Sequence, residues 1–278
     1  MRPGIVSIVA LAITAFCAGR SGVAGPEEDR EHMLRFYREK FPTIPVADYV
    51  LGALALDPGA RAQYEEIMTF PPFDAVIDRG KLLWETPFRN GRRYEDCFSD
   101  GGAGAAATYP RFDDARAKVV TFEMALNDCR TSHGEAPYAH GDRATMGTLT
   151  AYARGLSDGF PMTIRVEGAA ALAAYNEGKR FYFTRRGQLN FACASCHQAN
   201  AGAVLRTEIL SMAIGQATHW PVFRAGENLN TLHMRYIRCL EQIRAVPFPA
   251  GSVEFNQLEY FHSYLSNGLP LKASVFRK

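Results

Sequence analysis

A mainly α-helical chain made of two copies of one unit is what the sequence predicts. Three observations predict it. The 278 residues are 47% hydrophobic, enough apolar material for one or two cores. Few stretches alternate apolar and polar residues with period two, whereas several carry apolar residues at helical spacing. The second half also echoes the first. Gly80-Lys81-Leu82-Leu83-Trp84-Glu85-Thr86 resembles Gly178-Lys179-Arg180-Phe181-Tyr182-Phe183-Thr184, and Gly91 precedes Cys97 by the interval at which Gly187 precedes Cys193. Tyr109-Pro110-Arg111-Phe112 answers Trp220-Pro221-Val222-Phe223. Thr121, Met124 and Cys129 answer Thr231, Met234 and Cys239 with identical spacing. Recurrence of this kind marks an internal repeat.

Taken in order, residues 1–25 read as an export signal. Arg2 supplies the charged start, residues 5–18 are apolar but too short to span a bilayer comfortably, and Val23-Ala24-Gly25 offers small residues for cleavage. Phe16 before Cys17 is too bulky for lipoprotein processing. Residues 32–40 suit a helix, broken at Pro42 and Pro45. Asp57-Pro58-Gly59 starts a second helix over residues 60–68, which Pro71-Pro72 ends. Residues 75–84 suit a packed helix, residues 101–104 a glycine-rich loop, and residues 118–129 a further helix. In the second copy, residues 167–183 form an Ala-rich helix and residues 186–190 a connector. Residues 205–215 suit a short helix, residues 230–246 a longer one, and the aromatic-rich residues 254–267 pack across the unit. The expected division is a signal at 1–25, a first unit at 26–150 and a second at 151–278.

Charge excludes some function classes. The formal net charge is +2, and the signal carries Arg2 and Arg20 with no acid, so the exported chain is near neutral. That balance supports neither nucleic-acid binding nor attachment to a membrane surface. No apolar run after the signal is long enough to cross a bilayer.

Cys193-Ala194-Ser195-Cys196-His197 is a C-x-x-C-H run, the attachment signature of a c-type haem. Its thiols add across the haem vinyl groups and its imidazole ligates the iron. A zinc reading needs a second ligand pair at similar spacing, and none is present. The second unit is therefore expected to be cytochrome c-like with one covalent haem c. In the first, Asp100 and Gly101 stand where the second has Cys196 and His197, so it is expected to be a cytochrome c-like unit without haem.

With His197 on one face of the iron, the candidates for the other are Met212, His219, His233, Met234 and Cys239. The repeat register favours Cys239 over a methionine, with a buried inert thiol as the alternative. Export places the chain where disulfides persist. A vacated haem site would let Cys97 and Cys129 join, leaving Cys239 to face the iron. Arg235, Arg238 and Arg244 surround Cys239, and the positions matching the first two are Ala125 and Asp128. Arg235 lies four residues before Cys239, on one helical face. Its guanidinium suits a forked grip on an oxyanion; pairing with a haem propionate or a surface salt bridge accounts for it equally well.

The single C-x-x-C-H run, the Arg235-Tyr236-Ile237-Arg238-Cys239 segment with Gln242 and Arg244 behind it, the duplicated layout and the export signal together resemble the SoxA family, the cytochrome c subunit of the SoxAX complex of bacterial sulfur oxidation. The resemblance spans nearly the whole exported chain and implies the one-haem type. It implies a periplasmic L-cysteine S-thiosulfotransferase that joins thiosulfate to a cysteine of the SoxYZ carrier protein and passes electrons to a SoxX partner cytochrome. Cys239 matches the family's active cysteine, which is also an axial haem ligand, and Arg235 matches its active-site arginine. The competing expectations are a passive electron carrier with Met212 or Met234 on the iron, and an enzyme coupling two thiosulfates to tetrathionate.

Overall fold

The computed structural model describes residues 25–224 and 228–276; the expected signal, Gly25 apart, lies outside them. Helix α1 (Pro26–Lys40) opens on proline with Glu27, Glu28 and Asp29 in its first turn and closes on Arg38 and Lys40, charges that complement the helix dipole. Tight 3-10 turns follow over Val46–Leu56. Asp57 caps α2 (Pro58–Ile67) by accepting from the Ala60 amide.

Two helical sets then repeat. The first runs from α3 (Asp74–Glu85) through short turns to the hairpin β1 (Arg111–Asp113) and β2 (Lys118–Val120), then α4 (Phe122–Ser132) and α5 (Thr148–Gly155). The second runs from α6 (Gly168–Phe183) through a small hairpin, β3 (Val204–Leu205) and β4 (Glu208–Ile209). It continues through β5 (Val222–Arg224) and β6 (Asn228–Asn230) to α7 (Leu232–Gln242) and α8 (Val253–Tyr264). The C-terminal β7 (Val275–Phe276) pairs parallel with β5. Thr121 caps α4 by accepting from the Met124 amide, and Thr231 caps α7 by accepting from the Met234 amide. In each set a cis X-Pro bond, Tyr109–Pro110 or Trp220–Pro221, precedes an antiparallel pair, β1 with β2 or β5 with β6.

The sequence pattern missed three local features. Residues 118–120, expected to begin a helix, form β2 against β1; the run Lys118-Val119-Val120 is β-branched, and the helix waits for the Thr121 cap. Residues 205–215, expected as a helix, instead carry the β3–β4 hairpin followed by irregular chain, with Arg206 at a left-handed φ of 59° in its turn. The helical segment 143–155 went unpredicted; Asp142 starts it by accepting from the Ala144 and Thr145 amides.

One glycine in each set fixes the main helix crossing. A Cβ built on Gly178 of α6 would lie 1.9 Å from the Gln257 carbonyl oxygen of α8, and one on Gly80 of α3 would lie 2.4 Å from the Thr148 carbonyl oxygen of α5. Backbone therefore packs on backbone at both crossings, closer than any side chain allows.

Each large core draws residues from both halves of the chain. Met33, Leu34 and Tyr37 of α1, with Tyr49 and Ala55, join the core built by residues 162–269, including Tyr175, Tyr182, Phe255 and Phe261. The other large core takes Trp84, Tyr94, Phe122, Leu126, Cys129 and Leu149, and recruits Leu271 and Ala273 from the far end of the chain. Hydrophobic periodicity shows that a face is buried; it does not show against which partner. In the α3–α5 core Trp84 stacks on Tyr94 at 5.4 Å and on Phe98 at 5.8 Å. Cys97 and Cys129 are joined there in a disulfide, Cα–Cα 5.9 Å, tying the turn before Phe98 to α4.

Two changes test these ties. Gly178→Ala forces the Gln257 backbone to move and is expected to cost about 1–3 kcal/mol, read as a lower midpoint in urea. Replacing both Cys97 and Cys129 by serine opens a loop of sequence separation 32 and is expected to remove roughly 3–4 kcal/mol in the chain-entropy model, read in the same assay.

Candidate haem and sulfur-transfer site

The C-x-x-C-H run follows α6 and is held from several directions. An antiparallel bridge between Arg186 and Phe191 closes the loop before it. Ser195 accepts from the Ala192 amide through its hydroxyl, 3.0 Å, starting the wide helical turn Ser195–Ala199. Helix α1 clamps that turn. The Tyr37 hydroxyl donates to the His197 carbonyl and accepts from the Ala213 amide, 3.0 Å, while Lys40 donates to the Ala199 carbonyl, 2.8 Å. Tyr37 is fully buried, so both backbone groups depend on it for a partner.

The His197 ring is oriented from its Nδ1 side. That nitrogen lies 3.0 Å from the Ser211 carbonyl oxygen. A carbonyl only accepts, so Nδ1 carries the proton and Nε2 keeps the lone pair a metal requires. The Gln216 side-chain amide packs beside the ring and donates to the Ser211 hydroxyl, 2.5 Å. Burial pushes the imidazole down to about 4, opposed by the Ser211 bond and reinforced by the Arg235 charge. The ring is therefore neutral at ordinary pH, the state in which it ligates iron.

The electrostatics gather the sequence-predicted residues. Burial first, then the neighbouring Cys239, pushes the Cys193 thiol up to about 12. The Cys196 thiol is raised by burial and Cys239 and lowered by Arg235. Cys239 therefore acts on both Cys193 and Cys196, and Arg235 on Cys196 and His197, although Arg235 and Cys239 come from α7. Cys239 is a half-buried free thiol. Around these residues stand polar atoms with no hydrogen-bond partner: the fully buried Tyr182 hydroxyl and the Arg186 Nε. Tyr182 is raised far above its ordinary range by burial, with Tyr37, Cys193, Tyr236 and Cys196 contributing. Two thiols, an imidazole with a free Nε2, and unspent donors on an aromatic wall fit a haem c.

The other axial candidates are all buried. Met212 follows Ser211, the residue that holds His197 from behind, and lies fully buried in the core. His233 lies 2.9 Å from the Glu259 carboxylate and accepts from the Gly251 amide, so it is engaged elsewhere. His219 and Met234 are buried. Tyr37, Gln216 and Tyr182 went unnoticed in the sequence; only the fold brings them to the run, and no spacing signals them. Arg238 turns outward and pairs with Glu241 at 3.2 Å.

A protein-family model, the SoxA/TsdA cytochrome c domain, matches residues 79–162. That span covers the second half of α3 with β1, β2, α4 and α5, the set without the C-x-x-C-H run. The chain is 43% identical over 278 residues to the L-cysteine S-thiosulfotransferase subunit SoxA of Allochromatium vinosum, covering 99% of this chain and 98% of that protein. It is 43% identical over 245 residues to the subunit of the same name from Chlorobaculum tepidum, covering 87% of this chain and 85% of that one. Among solved structures it matches a chain in the crystal structure of SoxXA from P. pantotrophus with a TM-score of 0.71 at 28% identity, over 78% of this chain and 84% of that one. Mainly helical, with a cytochrome c domain and near full-length identity to these subunits, the chain belongs to the SoxA family.

Proposed function

We propose that this chain is the haem-carrying subunit of a periplasmic L-cysteine S-thiosulfotransferase, exported by residues 1–25, and that it joins thiosulfate to a cysteine of the SoxYZ carrier protein with a SoxX cytochrome as its partner. The enzyme class rests on the relatives at 43% identity, and the partner on the likeness to a chain of SoxXA. The site reading is supported by His197 held through Nδ1 at 3.0 Å from the Ser211 carbonyl, which leaves Nε2 for a metal, with the free thiols Cys193, Cys196 and Cys239 near it.

In this reading the chain holds two cytochrome c-like units. The one around α6–α8, completed by α1, would hold one haem c, with Cys193 and Cys196 as its attachment thiols and His197 Nε2 and Cys239 Sγ as the iron's protein ligands. The one around α3–α5 carries none: aromatic rings fill its interior, and the Cys97–Cys129 disulfide closes its edge with Cys129 buried. The overall conversion is R–SH plus thiosulfate dianion to R–S–S–SO₃⁻, one proton and two electrons. A bound haem c supplies a one-electron acceptor beside the reacting sulfur, so a partner haem is needed for the second electron. Arg235 binds the dianion in a forked grip, and Cys239 sets the sulfur next to it. Its half-exposed position gives a carrier cysteine access.

The test uses purified holoprotein with its partner cytochrome, thiosulfate and carrier. Cys239→Ala and Arg235→Ala are expected to keep covalent haem, and each to lower conjugation at least a hundredfold; a removed charge partner alone costs several kcal/mol in a dry site. Full turnover in Cys239→Ala would refute the sulfur role. Thiolate-type low-spin signals in spin resonance, lost in that variant, check the axial ligand independently.

A further inference from the structure

Beyond the haem site, the α3–α5 unit places three metal-capable side chains together. Cys97, Cys129 and His133 have their ligand atoms within 4.8 Å of one another. His133 Nε2 lies 3.4 Å from Cys97 Sγ. Its ring is fixed on both sides: it stacks on Phe88 at 5.1 Å, and Asn90 Nδ2 lies 2.9 Å from Nδ1. A histidine aimed at sulfur through one nitrogen and held by an amide through the other has the layout of a metal ligand with its outer-shell partner. The proposed thiosulfate chemistry makes no use of it.

We propose that this cluster is a redox-gated zinc site: closed while Cys97 and Cys129 are joined, and a Cys₂His set for a soft divalent ion such as Zn²⁺ once they are reduced. The opening step is a two-electron exchange. A dithiol reductant gives up two electrons and two protons and becomes a disulfide, and the Cys97–Cys129 bond becomes two thiols. Zinc then displaces both thiol protons to solvent, while His133 stays neutral and moves its proton from Nε2 to Nδ1. The Asn90 amide, turned so that its oxygen faces the ring, then accepts a hydrogen bond from Nδ1–H. Around a tetrahedral zinc, with sulfur at about 2.3 Å and nitrogen at about 2.0 Å, the donor atoms sit about 3.5–3.8 Å apart. The three ligand atoms already lie within 4.8 Å of one another, so zinc spacing asks the two sulfurs to part once their bond is reduced. Cys97 is exposed and Cys129 buried, which gives the reductant a sulfur to attack and leaves a fourth position for water. The charges around the site are largely spoken for: Arg92 pairs with Asp96 at 3.2 Å, and Arg89 and Arg130 pair with Glu135 at 3.8 and 3.9 Å.

Holoprotein is reduced with a phosphine, freed of it under anaerobic conditions, dialysed against zinc and counted by mass spectrometry. One zinc per reduced chain and none per oxidised chain is expected. X-ray absorption at the zinc edge should show two sulfurs and an imidazole nitrogen. His133→Ala should weaken retention at least tenfold, and Asn90→Ala about tenfold, the usual scale for an outer-shell partner. Zinc should also raise the melting temperature of the reduced chain. Equal retention in His133→Ala, zinc held by the oxidised chain, no retention after reduction, or an unfolded reduced chain that zinc does not restore would each overturn the proposal. None of these outcomes depends on thiosulfate conjugation.

Discussion

The contact on which the rest of the molecule leans is the crossing of α6 and α8 at Gly178. With no Cβ to hold them apart, the helices meet backbone to backbone against the Gln257 carbonyl, and this fixes what each carries. Helix α6 ends at Phe183, and the chain then leads directly into the C-x-x-C-H turn. Helix α8 presents Phe255 to Tyr236 and His233 of α7, with ring centroids 5.5 Å apart in both cases. It also presents His262, whose Nδ1 lies 3.0 Å from the Tyr236 hydroxyl. The crossing therefore sets the position of α7, and with it where Arg235 and Cys239 stand relative to the attachment thiols. Close packing transmits this placement because a filled core has few alternative arrangements.

The two helical sets solve the same packing problem with different interiors. In the α3–α5 set the space beside the crossing is taken by Trp84, Tyr94, Phe98 and Phe122, and Gly102 is pressed against the Trp84 ring, where a Cβ would come within 2.8 Å. Cys129, at the position that answers Cys239, spends its sulfur on Cys97. In the α6–α8 set the matching thiol is free, and the surrounding wall keeps polar atoms unpaired at Tyr182 and Arg186. Buried polar groups without partners are costly, and a site built to receive a polar-edged cofactor is where such a cost is recovered.

Helix α1 is the third participant. It precedes the first set in the chain yet packs into the core of the second, and its Tyr37 hydroxyl joins the backbone at His197 to that at Ala213. The same arm holds Asp29 against Lys179 at 2.6 Å and near the Tyr175 hydroxyl. A segment distant in sequence thus stiffens the turn from which His197 projects, and a rigid backbone there limits how far the imidazole can tilt.

The sequence by itself supplied the residue types of the candidate site and the matched positions of the two helical sets. C-x-x-C-H names its ligand types at a fixed local spacing, and matched threonine, methionine and cysteine positions show as two similar helices with the same cap. Both are legible because they depend on neighbours close along the chain. The β2 strand, the hairpin at Glu208 and the helix after Asp142 were misread where short segments take their conformation from a cap or a turn rather than from periodicity. Only the tertiary structure decided that α1 completes the core around residues 162–269. It alone brought Tyr37, Gln216 and Tyr182 to the C-x-x-C-H turn, and set His133 beside the Cys97–Cys129 bridge. Those are contacts between residues far apart in sequence, fixed by which buried face meets which, and hydrophobic spacing records that a face is buried without recording its partner.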